Sequence, residues 1–262
     1  MNLVSRRILN RARFYAEVQE ACKYLLKSHP LADEARQYID SRVSLQNQEL
    51  FDFGFFPDDD HLDALFELVP EVKLRALDLV YPYHVQNGDH RVWINRAMLS
   101  RHNITMPYRD IYGNIVALVG RTLLSEDERK TQKIQKYKYT RFNKSLHLFG
   151  LSHAKAEIIK QKSVIIVEGQ IDCITCHEYG IHNVIALGGA SLGKYHFRLI
   201  SRLANKMYLL LDNDVEGKKA RKKIVDRYSK DIRIEMLELP SSFKDVDQFL
   251  RTTQNVSVFD TI

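Results

Sequence analysis

The stretch Ser163-Val-Ile-Ile-Val-Glu168-Gly169-Gln-Ile-Asp172 decides the fold of this chain. An apolar strand runs into a turn that carries Glu168, and Asp172 follows four residues later. The pattern returns at Met207-Tyr-Leu-Leu-Leu-Asp212-Asn213-Asp214. Because the carboxyl ends of parallel strands meet at one edge of a sheet, we expect these carboxylates to gather there.

A third acidic pair, Asp245 and Asp247, follows in a segment that reads as a loop. Carboxylate oxygens are the hard ligands that divalent cations bind in phosphoryl-transfer sites, so the set predicts a metal centre. The alternative for each residue is a turn or helix N-cap, because an Asp side chain accepts backbone N–H bonds there. For Asp172, the capping role and the metal-binding role are equally well supported by the sequence. The capping role is weaker for Asp212 and Asp214, whose close charges repel unless a cation compensates them.

The composition indicates the kind of protein and partner. The chain has 262 residues and a net charge of +6, which favours a polyanionic partner. Three cysteines argue against a disulfide framework and for a reducing compartment. No apolar run reaches membrane-spanning length, so we expect a cytoplasmic protein, bacterial or in the host cytoplasm if phage-encoded, with no membrane partner.

The alternation of elements predicts an α/β fold in the C-terminal part, with a parallel sheet and right-handed crossovers. The predicted strands lie at about 163–167, 183–187, 207–211 and 232–237, and the predicted helices at about 170–179, 194–204 and 216–229. Upstream, the sequence predicts helices at 5–28, 31–40 and about 61–69, and a hairpin over 104–110 and 115–121. The two strands of that hairpin lead to Arg109 and Arg121.

The segment 129–144 contains seven basic residues and no acidic one, interleaved with Tyr137, Tyr139 and Phe142. Such a run is usually a solvated face, but the aromatic rings raise the prospect of nucleic-acid contact. If this segment is only a loop, the basic run 218–223 is the alternative track for a template.

Two motifs suggest chemistry that we do not expect here. Cys173-Ile-Thr-Cys176-His177 has the spacing of a haem attachment site or half a zinc site, but we expect both thiols to be apolar filler in a helix. The stretch Gly188-Gly-Ala-Ser-Leu-Gly193-Lys194-Tyr195 approaches a phosphate loop, with Tyr195 in place of the Ser or Thr that holds magnesium. Because we expect the thiols of Cys173 and Cys176 to be packing groups, we predict no zinc and no haem.

The series Glu-Gly-x-x-Asp, Asp-x-Asp, Asp-x-Asp resembles the Toprim fold, and the upstream sequence resembles the RNA-polymerase core of DnaG-type primases. The upstream resemblance rests on short motifs in a characteristic order: Met106-Pro-Tyr-Arg109-Asp110, Gly113, Val119-Gly120-Arg121, Lys138-Tyr139, and Phe142-Asn-Lys144-Ser-Leu-His-Leu-Phe149-Gly150-Leu151. The N-terminal part is also similar, through Ala35-Arg-Gln-Tyr38 and Phe51-Asp-Phe-Gly54-Phe-Phe-Pro57. The resemblance implies a mixed α+β subdomain over 1–160, which binds nucleotide or nucleic acid, and a Toprim (Rossmann-like parallel sheet) catalytic subdomain over 161–262.

The resemblance implies a DNA primase, a nucleotidyltransferase that makes short RNA primers on single-stranded DNA during replication. It implies two or more Mg²⁺ or Mn²⁺ ions and ribonucleoside triphosphates as substrates. The implied metal ligands are Glu168, Asp212, Asp214, Asp245 and Asp247. The implied catalytic residues are Glu168, Asp172, Asp212 and Asp214, with Glu168 as the base. The implied phosphate-binding residues are Arg109, Arg121, Lys138, Arg141 and Lys144.

The chain also departs from that family. Residues 1–30 contain one cysteine, so we expect no zinc ribbon before the core, and we expect no helicase-binding domain after Asp247. A replicative helicase or a separate zinc or DNA-binding subunit would then be a partner, as in a phage or plasmid system. The alternatives are a Toprim nuclease of the OLD or ribonuclease M5 kind, or a catalytically silent single-stranded DNA-binding replication subunit.

Overall fold

The computed structural model of the protein describes residues 3–87, 90–189 and 191–259. The chain divides into two compact units. The first unit comprises Met1–Arg42, Phe51–Tyr108 and Asn114–Phe142, and the second comprises Val43–Leu50, Arg109–Gly113 and Asn143–Ile262.

Helices and strands occur in groups up to Arg121 and alternate one by one from Glu126 onward. The helices are α1 (Leu3–Ser28), α2 (Asp33–Asp40), α3 (Leu45–Leu50), α4 (Asp63–Phe66), α5 (Glu71–Ala76), α6 (Glu126–Gln132), α7 (Leu151–Gln161), α8 (Gln170–Glu178), α9 (Lys194–Ile200), α10 (Val215–Tyr228) and α11 (Val246–Thr253). The strands are β1 (Gly54–Phe55), β2 (Val80–Asn87), β3 (His90–Ala97), β4 (Ile104–Arg109), β5 (Ile115–Arg121), β6 (Tyr137–Tyr139), β7 (Ser163–Val167), β8 (Val184–Ala186), β9 (Lys206–Leu210) and β10 (Arg233–Met236). Single 3₁₀ turns lie at Pro30–Ala32, Asp59–His61, Lys144–Leu146 and Ser257–Phe259.

The second unit is built on a parallel sheet in the order β10-β9-β7-β8, which confirms the predicted fold class. Every residue of β7 is buried, because helices cover both faces of such a sheet and its inner strands read as continuous apolar runs. The predicted helix over 194–204 ends earlier, at Ile200, and a turn follows in which Ala204 N–H bonds to the Ile200 carbonyl at 2.9 Å.

The first unit contains a sheet in the order β1-β4-β5-β6, and it includes the predicted hairpin as β4 and β5. The predicted first helix is confirmed as α1, which ends at Ser28, before Pro30. Strand β1 approaches α1 closely: a β-carbon on Gly54 would lie 2.7 Å from the β-carbon of Cys22. Only glycine therefore permits this packing. The helix expected at about 61–69 is shorter, α4, preceded by the 3₁₀ turn at Asp59–His61.

A separate two-stranded sheet, β2 paired with β3, is not among the predicted elements. Pro82 lies inside β2, and a proline argues against an inner strand because it cannot donate to the ladder. A hairpin of two strands has only edge strands, so it tolerates the proline. Among the described residues, no helix has the length and apolar character needed to cross a bilayer.

Candidate active site

The predicted carboxylates of the second unit stand at the ends of its elements. Glu168 follows β7, and Asp212 follows the end of β9 by two residues. Asp214 is the N-cap of α10, and Asp245 is the N-cap of α11. Asp212 lies within electrostatic range of Glu168, Asp214 and Asp245, so the fold brings these four side chains to one region. This is the gathering that the strand-end pattern predicts.

Burial and mutual repulsion make these carboxylates hard to ionise together. Burial, and then the charges of Glu168, Asp245 and Asp214, raise the pKa of Asp212 to about 7. Burial, and then Asp214, raise the pKa of Glu168, while Lys244 acts in the opposite direction. One oxygen of Glu168, Oε2, is buried and has no hydrogen-bond partner in the described part of the chain. A cation placed among these groups would relieve the repulsion.

Asp172 has a different environment, because it is buried at the start of α8. Its Oδ2 accepts a hydrogen bond from the Gly169 N–H at 3.0 Å, and its Oδ1 accepts one from the Asp247 N–H at 3.3 Å. Burial, and then the neighbouring carboxylates of Asp245 and Asp212, raise its pKa well above the usual range. Asp172 thus joins the first turns of α8 and α11 through backbone contacts.

The capping role that the sequence leaves open is present at two of the acidic residues. Asp214 Oδ1 accepts the Gly217 N–H at 2.8 Å, and Asp245 Oδ1 accepts the Gln248 N–H at 2.8 Å. Each cap satisfies a helix N–H that lacks an intrahelical partner. Each cap also fixes the carboxyl group at the edge of the sheet, so the two roles are compatible.

The carboxylate of Asp247 is bound by two neighbouring side chains, those of Arg251 and Thr175. Arg251 Nε lies 2.5 Å from Asp247 Oδ1, one helical turn further along α11. The Thr175 hydroxyl donates to the same oxygen at 2.6 Å, and Arg251 also donates to the Thr175 hydroxyl at 3.0 Å. These contacts tie α11 to α8.

Three residues that support the site, Arg221, Asn213 and Lys244, escape the sequence analysis. Arg221 is buried on α10 and donates to the carbonyl oxygens of Leu211 at 2.6 Å and Asp212 at 2.8 Å. Arg221 is therefore not an exposed member of the basic run 218–223, the alternative track for a template. Asn213 donates through its side chain to the Phe243 carbonyl at 2.9 Å and through its backbone N–H to the Lys244 carbonyl at 2.8 Å.

These bonds anchor the chain segment that holds Asp212 and place Lys244 beside the acidic group, where its charge favours ionisation of Asp212 and Glu168. From the sequence, Asn213 reads as a spacer between two Asp residues and Arg221 as one of several cations. The one signal in the sequence is the position of Arg221, which lies in the second turn of the helix that follows the Asp-x-Asp pair.

In the described ranges, no three His, Cys, Asp or Glu side chains are arranged closely enough to hold a metal ion as they stand. Like charges favour separation of the carboxylates when no cation lies between them. The chemistry of the donor set nevertheless fits a divalent ion, because it offers hard oxygens, raised carboxyl pKa values and the buried Oε2 of Glu168.

The predicted phosphate-binding cations are divided between the units. In the second unit, Arg109 donates to the Gly113 carbonyl at 2.7 Å, and Lys144 donates through Nζ to the Gly188 carbonyl. Burial lowers the pKa of Lys144. Lys144 thus secures the glycine-rich turn after β8, where Gly188 has a φ of 63° and Gly189 a φ of 154°. Ala190 of that turn lies outside the described residues.

In the first unit, the Arg121 guanidinium lies 4.0 Å from the Tyr38 ring centroid and donates to the Thr122 carbonyl at 3.0 Å. Lys138 is half-buried in β6, opposite Gly120 of β5, and Arg141 is exposed. Phe142, one of the aromatic residues of the basic segment, packs against β4: its ring centroid lies 5.0 Å from that of Tyr108. These rings pack within the unit, as does the half-buried Tyr139.

Both cysteines of the haem-like motif are fully buried in α8, and both are free thiols. The Cys173 thiol lies 3.5 Å from the Val184 carbonyl, in the orientation of a weak donor. Burial raises the pKa of each thiol, which opposes the thiolate form that binds metals. Burial also lowers the pKa of the neighbouring His177 to about 3.

Two protein families match the two parts of the chain. Residues 22–155, just over half of the chain, match the family described as the N-terminal domain of the DNA primase catalytic core. Residues 165–250 match the family described as Toprim-like.

Individual proteins similar to this chain are named DNA primase. A DNA primase of Listeria monocytogenes is 34% identical over 238 residues, which are 88% of this chain and 36% of the relative. A DNA primase of Clostridium acetobutylicum is 28% identical over 245 residues, 91% of this chain and 39% of the relative. The chain therefore spans less than half the length of these relatives.

A solved DnaG primase catalytic domain bound to ssDNA is similar in fold, with a TM-score of 0.77 and 24% identity over 98% of this chain and 81% of that one. The order of elements, the acidic edge of the second unit and the match over residues 22–155 lead to one assignment. The chain belongs to the DNA primase catalytic core family.

Proposed function

We propose that this chain is the catalytic core of a DNA primase, a nucleotidyltransferase that synthesises short RNA primers on single-stranded DNA from ribonucleoside triphosphates. The observation that carries the proposal is the electrostatic grouping of Glu168, Asp212, Asp214 and Asp245 at the strand ends of a parallel sheet. A cationic ligand favours such a group at neutral pH, because it compensates the mutual repulsion of the carboxylates.

The residues that would hold Mg²⁺ or Mn²⁺ are Asp212 and Asp214 at one position, with Glu168 and Asp245 completing a second position. Such ions, when bound, would screen the triphosphate charge and polarise the attacking 3′ hydroxyl. Asp247 belongs to the predicted set as an outer member, since Arg251 and Thr175 already engage its carboxylate. Asp172 orients the group by holding the first turns of α8 and α11.

Glu168 is the proposed general base. Burial and the charge of Asp214 raise the pKa of its carboxyl group, which brings it closer to the range in which a base works at neutral pH. Oε2 has no competing hydrogen bond within the described residues, so it can accept the proton of the primer 3′ hydroxyl.

The proposed phosphate ligands are Arg109, Arg121, Lys138, Arg141 and Lys144. Arginine suits this task because its planar guanidinium remains charged and can make two parallel bonds to phosphate oxygens. Lys144 has a supporting role as well, since it is bonded to the Gly188 carbonyl. The division of labour into a subdomain over 1–160 and a Toprim catalytic subdomain over 161–262 is part of the same proposal.

A primase also needs partners. The template is single-stranded DNA, and one fold relative is a DnaG domain bound to ssDNA. A replicative helicase, or a subunit that supplies zinc-dependent template selection, would complete the system. A replication role in the cytoplasm fits these partners.

The test is incorporation of labelled ribonucleotides on a single-stranded template, with Mg²⁺ or Mn²⁺ added or omitted. The proposal expects RNA products that depend on template and metal, and their loss in Asp212→Asn. A matched control is Asp226→Asn, an exposed carboxylate further along α10. Metal-dependent degradation of the template without RNA synthesis would instead identify a nuclease, and binding of DNA with neither reaction would identify a silent binding subunit.

A further inference from the structure

Trp93, the single tryptophan of the chain, lies on a surface that the proposed active site does not use. It belongs to β3 of the two-stranded sheet and is 62% exposed. A tryptophan side chain is large and apolar, so its burial would be favourable by a free energy several times larger than RT. Its exposure makes the indole available to a ligand that covers it.

The side chains of the hairpin alternate between two faces with different chemistry. Trp93 is paired across the ladder with the exposed His84, their ring centroids 3.3 Å apart and their planes 43° apart. Arg91, also exposed, lies two residues before Trp93 and thus on the same face. We refer to Trp93, His84 and Arg91 as the indole face.

The opposite face is mainly apolar and aromatic, with Tyr81, Tyr83, Val92 and Ile94 at 37–49% exposure. The Arg96 guanidinium lies 4.7 Å from the Tyr83 ring centroid on that side. A protein partner would be expected to cover this apolar face, because protein interfaces bury apolar side chains and exclude charge at their centres. The largest exposed ring, however, is on the other face, beside an imidazole and a guanidinium.

The charges of the hairpin indicate the ligand. Its described side chains, over 80–85 and 91–97, include two arginines and a histidine and no carboxylate. An exposed indole with cations beside it is suited to a polyanion that offers flat aromatic surfaces. Single-stranded nucleic acid has that chemistry, because its bases are unpaired and can stack on aromatic side chains while cations neutralise the phosphates. A duplex hides the faces of its bases.

We propose that the indole face of the β2–β3 hairpin binds single-stranded DNA, with a base stacked on Trp93 and a phosphate beside Arg91. The inference rests on the proposed function, since it adds a second contact for the same template. It assigns a role to a hairpin for which the catalytic chemistry has no use.

Trp93 reports on its own occupancy, since tryptophan emission from this chain arises at one position. Oligothymidylate added to the intact chain should quench that emission, and the quenching should saturate together with the anisotropy of a labelled copy of the same oligonucleotide. Addition of salt should reverse both signals. Blunt duplex DNA of equal length should quench the emission much less.

Variants separate stacking from general binding. Trp93→Ala should weaken oligonucleotide binding by about tenfold, the order expected when one base can no longer stack, while Trp93→Phe should retain most of the affinity. Arg91→Ala should reduce the slope of log affinity against log salt by about 0.7, as for one phosphate contact. The control is Tyr24→Ala, which removes a 58% exposed ring from α1 and should bind like the parent. Thermal melting of each variant verifies the fold.

Two results would overturn the inference. In one, labelled oligonucleotide binds the parent and Trp93→Ala equally, with unchanged tryptophan emission. In the other, the emission depends on protein concentration without DNA, which would make the hairpin a contact between copies of the chain. If primer synthesis persists in either case, the proposed function stands and only the hairpin assignment fails. If the parent neither binds oligonucleotide nor makes primers, the proposed function itself fails.

Discussion

Gly217 lies against the backbone of Asp212. A β-carbon placed on Gly217 would overlap the Asp212 carbonyl oxygen and lie 3.1 Å from the Asp212 nitrogen. The N–H of Gly217 also donates to Asp214 Oδ1 at 2.8 Å, so one glycine sets the position of both acidic residues. The first turn of α10 therefore depends on the absence of a side chain at this position.

Gly217→Ala should displace the strand end that carries Asp212 and lower the free energy of unfolding by about 1–3 kcal/mol, as overpacking does in other interiors. The affinity for Mn²⁺ should fall as well, since the ligands move apart. Urea denaturation and metal titration measure the two effects. The control is Gly193→Ala at the start of α9, where an added β-carbon meets nothing within 4 Å. Equal stability of the two variants would contradict this packing argument.

The pKa of Asp212, raised to about 7 by burial and by Glu168, Asp245 and Asp214, has a consequence for stability. In the unfolded chain an Asp titrates near 3.9, so the native state binds more protons between about pH 4 and 7. The free energy of unfolding of the metal-free protein should therefore fall as pH rises through this window.

Asp212→Asn removes that penalty. Above pH 7 the metal-free variant should be more stable than the parent by about 2 kcal/mol, a value reduced to allow for solvent screening of a partly exposed group. Below about pH 4 the difference should vanish. Thermal melting in chelator across this range is the measurement, with Asp226→Asn as the exposed control. A variant less stable than the parent at neutral pH would show that Asp212 has a structural role instead.

Replacement of Cys173 and Cys176 by Ala should leave the metal content and primer synthesis unchanged. Both thiols are fully buried, so their removal should only lower the free energy of unfolding, by about 1 kcal/mol for each small cavity. Elemental analysis of the purified double variant and its parent tests this expectation. Stoichiometric zinc in the parent that disappears from the variant would overturn the view of these residues as packing groups.

The exposed lysines of the segment 129–144 should affect template binding, whereas Arg109 of the β4–β5 hairpin should affect turnover. Joint replacement of Lys130, Lys133 and Lys136 by Ala should flatten the salt dependence of template binding by about 0.7 for each phosphate that the protein no longer neutralises. Turnover at saturating template should persist. Arg109→Ala should instead lower turnover by at least about tenfold with a smaller loss of template affinity, because a group that contacts the transferring phosphate stabilises the transition state.

Filter binding across a salt series, paired with initial rates, distinguishes these roles. The comparison variant replaces Lys218, Lys222 and Lys223, which are exposed on α10 and belong to the alternative track for the template. Lys130 already faces Glu126 at 2.7 Å, so its share of the effect should be the smallest of the three. An unchanged salt slope in the 130/133/136 variant would show that this segment is an ordinary solvated surface.

The parts of the structure that the sequence predicts well are those controlled by local patterns. The strands around β7 and β9 are apolar runs of strand length, and a buried parallel sheet requires that pattern. Once these strands are predicted, the positions of Glu168 and Asp212 at their carboxyl ends are predicted as well. The β4–β5 hairpin is likewise predicted, because its turn residues and its two short apolar strands are contiguous in sequence.

The parts that escape prediction depend on partners distant in sequence or on backbone atoms. Arg221 is indistinguishable from its basic neighbours until the fold places it against the Leu211 and Asp212 carbonyl oxygens. Lys144 bonds to Gly188, 44 residues away, which no local pattern records. The β2–β3 hairpin escapes for a local reason, since Pro82 contradicts an inner strand and only the two-stranded topology permits it.

Binding of Mn²⁺ to the metal-free protein, followed by the decrease of the free-ion paramagnetic resonance signal, tests the central claim most directly. The account predicts saturable binding by the parent and by Asp226→Asn, and at least tenfold weaker binding by Asp212→Asn and Asp214→Asn. Asn retains the capping oxygen at position 214, so weaker binding there reflects the missing charge and not a frayed helix. Equal Mn²⁺ affinity in all four proteins would contradict the assignment of the acidic edge as the metal centre.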